Sequence, residues 1–351
     1  METRMINTAL CSFGMSGRVF HAPFITTVPG YRLQGVWERT KNAAAEKYPG
    51  TQTYRSLDAL LSDAAVELVV VNTPSVTHFD YAQQCLEAGK HVVVEKPFTA
   101  TVQQAETLIA LAEEKRKVLS VYQNRRYDSD FRTVKKVLAN NWLGELVEVN
   151  IHYDRYVPAL SPKVHKETPT PAVGCLYDLG AHLIDQALQL FGMPQAVFAD
   201  IAANRPGSQV DDYFDLKLFY PTFRVILKSS YYVREALPGY QLHGKKGSFI
   251  KPKTDVQETQ LQAGSIPGDD TWGTEPETER GLLHTEKDGT VIREYITSER
   301  GNYGDYYTAL HKAIAYSDPV PVKAEEAMQV IQVIETAFRS SREKRTIALD
   351  F

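Results

Sequence analysis

Long apolar runs are missing from this sequence, and so is any strong imbalance of charge. No stretch approaches the ~18 consecutive apolar residues of a membrane span, which excludes a helical channel or transporter core. The 351 residues carry a formal net charge of −4, so the electrostatics give no reason to expect nucleic acid or an anionic membrane as a partner. Cysteine is scarce. Cys11, Cys85 and Cys175 stand far apart with no metal-type spacing, which argues against a disulfide framework and fits a reducing compartment. Ahead of the first apolar run at Thr8 there is no room for a signal peptide, so the cytoplasm is the expected location. There is no internal repeat and no low-complexity tract.

What is present is an α/β rhythm centred on Val92-Val93-Val94-Glu95-Lys96-Pro97-Phe98. Three β-branched residues read as a strand buried on both faces, as inside a parallel sheet. Pro97 cannot donate to a sheet ladder and ends the strand. Lys96 is thereby left at the carboxyl end, where open α/β sheets bind their ligands. X-Pro is also the one bond that readily takes the cis form. Upstream, Thr8–Cys11 leads into Ser12-Phe13-Gly14-Met15-Ser16-Gly17, a G-x-G-x-x-G fingerprint with serine in the first position. Gly14 keeps the role of letting the backbone approach a pyrophosphate, and Gly17 that of close helix–strand packing.

The strand Leu33–Trp37 ends at Glu38-Arg39, and Glu38 lies 21 residues beyond Gly17. An acid near this spacing meets the adenosine ribose, whereas a guanidinium beside it forks onto a 2′-phosphate. Glu38 suits NAD and Arg39 suits NADP; the balance leans to NADP. A helix over Ser56–Leu61, a strand over Val66–Val71 ending in Asn72-Thr73-Pro74, helices over Thr77–Ala88 and Thr101–Lys115, and a strand over Val118–Tyr122 follow. These alternations predict a doubly wound parallel sheet over residues 5–122. Its strand ends, from Gly14 to Gln123-Asn124-Arg125-Arg126, are expected to line one crevice.

After Arg126 the rhythm changes. Asp130–Asn141 reads as an amphipathic helix. Leu146–Tyr153 alternates, with Val147, Val149, Ile151 and Tyr153 on one face. Strand signals recur over Ala196–Ala203, Tyr213–Tyr220, Arg224–Val233 and Tyr240–Ile250, which predicts a largely antiparallel sheet with one face packed. Residues 252–280 read as a long loop, Asp288-Gly289 as a hairpin turn, and Glu325–Lys344 as a closing helix. Two domains are expected, 1–125 and 126–351. Within the second, Gly174–Asp185 reads as a helix ended by Gly192 and Pro194. Asp178, His182 and Asp185 fall at i, i+4 and i+7 on one face, and such a polar stripe is costly to bury unless its members pair or act. A metal site lacks a convincing third ligand.

These motifs, in this order, resemble the family of glucose-fructose oxidoreductases, inositol dehydrogenases and rhizopine-catabolism proteins. The carrying residues are Gly14…Gly17, Glu95-Lys96-Pro97 and Gly174…Asp178-x-Gly180-x-His182-x-x-Asp185. Val94–Phe98, Tyr122–Arg126, Phe191–Pro194 and Gly301-Asn302-Tyr303-Gly304 are similar to its NADP-dependent scyllo-inositol dehydrogenase branch. The resemblance implies an N-terminal Rossmann domain, then an α+β domain whose large, mostly antiparallel open sheet makes the contacts of a homodimer or homotetramer. It puts Ser12, Phe13, Gly14, Met15, Ser16, Gly17, Glu38, Arg39, Asn72, Thr73, Pro74, His78, Glu95, Lys96 and Asn124 at an NADP or NAD cofactor. Lys96, Arg125, Tyr153, Asp178, His182 and Tyr303 fall to a polyol or sugar substrate, with Lys96, Asp178 and His182 catalytic.

The implied reaction is reversible oxidation of a secondary ring alcohol. Imidazole, with a free pKa near ~6.5, suits a general base; whether His182 or Lys96 takes the proton is open in the sequence. Two other readings stay in view: a glycoside hydrolase that uses the same site with a tightly held NAD, and a non-catalytic nicotinamide sensor like the galactose-pathway repressor of yeast. A sensor is expected to lose the lysine–histidine pair, which this chain keeps.

Overall fold

Buried β-branched runs make the first sheet. In the computed structural model, which describes residues 3–235 and 237–349, the strands β1 (Ile6–Leu10), β2 (Tyr31–Trp37), β3 (Gln52–Tyr54), β4 (Leu68–Val71), β5 (His91–Glu95) and β6 (Leu119–Tyr122) form one sheet. Their order is β3-β2-β1-β4-β5-β6, and every pairing is parallel. Leu68 to Val71 and Val92 to Val94 are fully buried, as a sheet covered on both faces requires. The strand order reverses between β1 and β4, which opens a crevice at their carboxyl ends. Local signals set the connecting helices: Ser56 caps Leu57–Leu61 and Thr101 caps Val102–Lys115 through their hydroxyl oxygens.

Two compact units result, and neither is one stretch of chain. The first comprises Met1–Asn124, Gln257–Trp272 and Asn302–Met328; the second comprises Arg125–Val256, Gly273–Gly301 and Gln329–Phe351. Sequence reading passed over the helix Gly304–Tyr316, which joins the first unit. It buries Tyr306, Tyr307, Leu310 and Ile314. Tyr306 Oη donates to Ser120 Oγ on β6 at 2.9 Å, and the Tyr31 hydroxyl donates to the Tyr307 carbonyl at 2.8 Å.

The second unit holds a sheet of nine strands: β7 (Leu146–His152), β8 (Ala196–Ala202), β9 (Tyr213–Phe219), β10 (Arg224–Ser230), β11 (Tyr240–Gly244), β12 (Gly247–Lys251), β13 (Gly281–Lys287), β14 (Thr290–Ile296) and β15 (Ile347–Ala348). The order is β14-β13-β12-β11-β7-β10-β9-β8-β15, antiparallel throughout except for the parallel pair β7–β10. Along β9, Phe214, Leu216 and Leu218 are buried while the residues between them are not. The helix Ala181–Phe191 buries Leu183, Ile184 and Ala187.

Several expectations need correction. Tyr240–Ile250 is not one strand but the hairpin β11–β12, turned at Lys245-Lys246. The stretch 252–280 is not a plain loop, since Gln257–Gln262 is helical. Val147 is 52% exposed, so the packed face of β7 begins at Val149. Asp288 and Gly289 do turn a hairpin, both with positive φ.

The second unit also buries an ion pair. Lys251 Nζ lies 2.6 Å from Glu275 Oε2, with both side chains fully buried. Nζ also donates to Thr254 Oγ1 and the Glu279 carbonyl, while Glu275 accepts from the Ser129 and Ser298 hydroxyls. Removing one partner strands the other charge. Lys251→Met is expected to cost about 3–5 kcal/mol, and adding Glu275→Leu to recover most of it; urea unfolding measures both.

Candidate functional site

In the first unit, the ends of β1, β4 and β5 converge. The glycine loop follows β1. Its backbone at Ser12 is gripped by Asn72, which accepts from the Ser12 N–H at 3.0 Å and donates to the Ser12 carbonyl at 2.9 Å. The Ser12 hydroxyl donates to the Asn72 carbonyl at 2.9 Å. A methyl group on Gly17 would lie 2.4 Å from Ser12 O and 2.8 Å from Asn72 Nδ2; on Gly14 it would meet only Ser12 Oγ, at 3.8 Å. Gly17 is thus packed shut and Gly14 stands open, the two roles a pyrophosphate cradle needs. Met15 is exposed, and Phe13 meets Tyr48 edge to face at 6.3 Å.

One carboxylate organises the rest of this face. Glu95 Oε1 accepts from Ser16 Oγ at 2.5 Å and from His21 Nε2 at 2.9 Å, and Oε2 accepts from the Lys96 N–H at 3.1 Å. His21 is fully buried, and its Nδ1 lies 2.6 Å from the Tyr307 hydroxyl. The tautomer that satisfies every group has Tyr307 donating to Nδ1 and Nε2–H donating to Glu95. Burial pushes the Glu95 carboxyl up, but the His21 and Ser16 hydrogen bonds outweigh it and hold the group below its ordinary value. Sequence reading missed His21 and Tyr307 as site residues: His21 belongs to no motif, and the helical spacing of Tyr307 marks it only as core.

The Lys96–Pro97 peptide is cis. Buried His78 ties this turn to its neighbour, with Nδ1 2.8 Å from the Pro97 carbonyl and Nε2 3.0 Å from the Thr73 carbonyl. Burial holds its imidazole below its ordinary value. Lys96 therefore has its backbone fixed on both sides, by Glu95 and through Pro97 by His78. Pro74, the N-cap of the turn Ser75–Thr77, follows Thr73 directly.

At the end of β2, Glu38 is occupied. Its carboxylate accepts from the N–H groups of Ala43 and Ala44 at 3.3 and 3.0 Å, capping the helix Ala43–Lys47. Arg55 braces the intervening loop through the carbonyls of Glu38 and Lys41. Arg39 is exposed, and its guanidinium has no hydrogen-bond or ion-pair partner among the described residues. Asn124 is buried at the start of the turn Asn124–Tyr127. Tyr303 is fully buried between Phe20 and Phe24, its N–H donating to Gln257 Oε1 at 2.7 Å.

In the second unit, the polar helix is not wound evenly. Leu176–Gly180 is a π turn that runs into the α-helix Ala181–Phe191. Such widenings recur at functional sites. Gly180 is closely packed, since a methyl there would lie 2.5 Å from Leu176 Cδ1 and 3.4 Å from the Phe214 ring. Asp185 is committed to a fork-to-fork pair with Arg126, at 2.9 and 2.6 Å. His182 is 5% exposed. Asp178 is more open, with Lys166 Nζ 4.0 Å away. Arg125 lies over the Tyr153 ring, 5.0 Å from its centroid. Among the described residues no cluster of His, Cys, Asp or Glu is arranged to hold a metal ion, and no helix is long and apolar enough to cross a membrane. The three cysteines are buried free thiols.

Comparison with known proteins covers nearly the whole chain. Residues 6–123 match the oxidoreductase family, NAD-binding Rossmann fold, and residues 135–349 match the oxidoreductase family, C-terminal alpha/beta domain. The chain is 41% identical to scyllo-inositol 2-dehydrogenase (NADP(+)) IolW of Bacillus subtilis, over 98% of this chain and 96% of that one. It is 38% identical to the uncharacterized oxidoreductase YdgJ of Escherichia coli, over 98% and 99%. A crystal structure of an oxidoreductase from Bacillus cereus, 34% identical, superposes with a TM-score of 0.91 over 99% of both chains.

Proposed function

Since the chain belongs to the oxidoreductase family that joins glucose-fructose oxidoreductases, inositol dehydrogenases and rhizopine-catabolism proteins, we propose that it reversibly oxidises a secondary ring hydroxyl of a cyclitol or sugar to a ketone, with scyllo-inositol the favoured substrate. It is an NAD(P)-dependent dehydrogenase. The observation that carries the reading is the Glu95 carboxylate, which fixes the glycine loop through Ser16 and the Lys96 backbone at once. The open Gly14 and closed Gly17 fit a dinucleotide. When bound, the nicotinamide supplies the hydride acceptor.

The chain's own residues manage the rest. Lys96 donates a hydrogen bond to the reacting oxygen and steadies the charge that develops on it. His182 and Lys96 are the candidates to take the hydroxyl proton. Asp178 accepts from neighbouring hydroxyls, and Arg125 and Tyr153 bound the substrate. The test is reduction of NADP and NAD followed by absorbance with a panel of inositols and aldoses. NADP reduction on scyllo-inositol supports the reading. Cofactor binding without reduction on any member sinks it, and release of the leaving group from aryl glycosides then favours the hydrolase.

Cofactor choice follows from the end of β2. Glu38 spends both carboxylate oxygens on backbone N–H groups, and Arg39 has unspent donors, so NADP is preferred. A charge-assisted hydrogen bond contributes about 1.5–3 kcal/mol. Arg39→Ala is therefore expected to lower kcat/KM for NADP by roughly 10- to 100-fold with little change for NAD. Equal losses with both cofactors would refute this.

A further inference from the structure

We propose that Arg155 is a substrate-contacting residue whose guanidinium donates to the hydroxyls of a ring polyol; the proposal rests on the polyol dehydrogenase reading above. Arg155 follows β7, and its backbone is fixed against the end of β10. Its N–H donates to the Ser230 carbonyl, and its carbonyl accepts from the Val233 N–H, both at 3.0 Å. The guanidinium is much less committed. It is half-buried, lies 5.0 Å from the centroid of the Tyr153 ring, and makes one long hydrogen bond, 3.4 Å from Nη2 to Tyr153 Oη.

Two other cations flank that ring, and they differ in one respect. Arg125 and Lys253 lie 5.0 and 4.9 Å from its centroid. Both are matched by Asp128 Oδ2, at 3.3 and 3.4 Å. Among the described residues no carboxylate oxygen pairs with Arg155 in this way. Most of its five N–H donors are therefore unspent in a partly desolvated place.

The turn that bears Asp178 is tied to the same segment. Ser229 Oγ donates to the Tyr153 carbonyl at 2.6 Å, and Cys175 Sγ lies 3.5 Å from the same hydroxyl. The segment bearing Arg155 and the turn bearing Asp178 are thus braced by one buried serine. Burial works against the Arg155 charge, but Tyr153 and the Asp178 carboxylate outweigh it and hold the guanidinium more firmly protonated.

A donor fork beside an acceptor-only carboxylate fits adjacent hydroxyls, each of which accepts one hydrogen bond and donates another.

The experiment compares the parent with Arg155→Met and Arg155→Lys, using NADP and five probes: scyllo-inositol, myo-inositol, glucose, glucose 6-phosphate and glucuronate. The parent is expected to use at least one of the uncharged probes. Arg155→Met is expected to raise KM for that probe by about 10- to 100-fold while kcat changes far less, and Arg155→Lys to recover part of the loss. Unchanged NADPH affinity and melting temperature show that the variants fold. An unchanged KM in Arg155→Met, or a parent that uses only a charged probe, overturns the proposal and leaves the dehydrogenase reading standing. A parent silent on all five probes overturns both.

Discussion

A Lys96→Met variant will bind NADP much as the parent does and oxidise polyol about 10³-fold more slowly. Methionine keeps the length and packing of the stem but removes every donor at its tip. The backbone of residue 96 is held by the Glu95 carboxylate and, through Pro97, by His78, so the substitution leaves the turn in place. The loss should fall on kcat, because the hydrogen bond to the reacting oxygen strengthens as that oxygen gains charge. His182→Ala is the companion, with an expected loss of about 10²–10⁴-fold for a general base. The variant that flattens the acidic limb of the kcat–pH profile identifies the proton acceptor. A Lys96→Met enzyme within tenfold of the parent would remove the lysine from the chemistry.

Gly17→Ala is expected to cost at least ~100-fold in NADP affinity, about 2.7 kcal/mol, together with a lowered melting temperature. A methyl there would press on Ser12 O and Asn72 Nδ2 at 2.4 and 2.8 Å, the two atoms joined by the 2.9 Å hydrogen bond that shapes the loop. Gly14→Ala separates the two effects. Its methyl meets only Ser12 Oγ at 3.8 Å, so the fold is untouched while the approach of a pyrophosphate to the backbone is blocked. NADPH fluorescence titration beside thermal melts distinguishes the cases. Retained affinity in both variants would show that the pyrophosphate lies elsewhere.

The sheet architecture was legible because burial writes itself into side-chain type. Val92–Val94 could only be an interior strand, and Asp288-Gly289 could only turn a hairpin. The hairpin hidden in Tyr240–Ile250 was not legible, since Lys245-Lys246 carries no Gly, Asn or Pro to mark the turn. The helix Gly304–Tyr316 did carry a signal, with Tyr306, Tyr307, Leu310 and Ile314 at helical spacing. At the site, Glu95 and Lys96 stand out as charges after a buried run. His21 does not, because its partners Glu95 and Tyr307 lie 74 and 286 residues away. Arg155 shows the same limit: a sequence displays a charge but not whether a carboxylate has already claimed it.

The interleaving of the two units has a consequence for biosynthesis. The six strands of the first sheet are complete once Tyr122 has been made, yet that unit also needs residues 257–272 and 302–328. At ~5–20 residues per second, the ribosome holds a finished sheet without the helix that carries Tyr306 and Tyr307 for roughly ten seconds or more. During that interval Tyr31, His21 and Ser120 have no native partners from the later segment. Neither unit can be released as an independent folding cassette, so gene fragments cut near residue 125 should yield nascent chains that depend on chaperones rather than two autonomous halves.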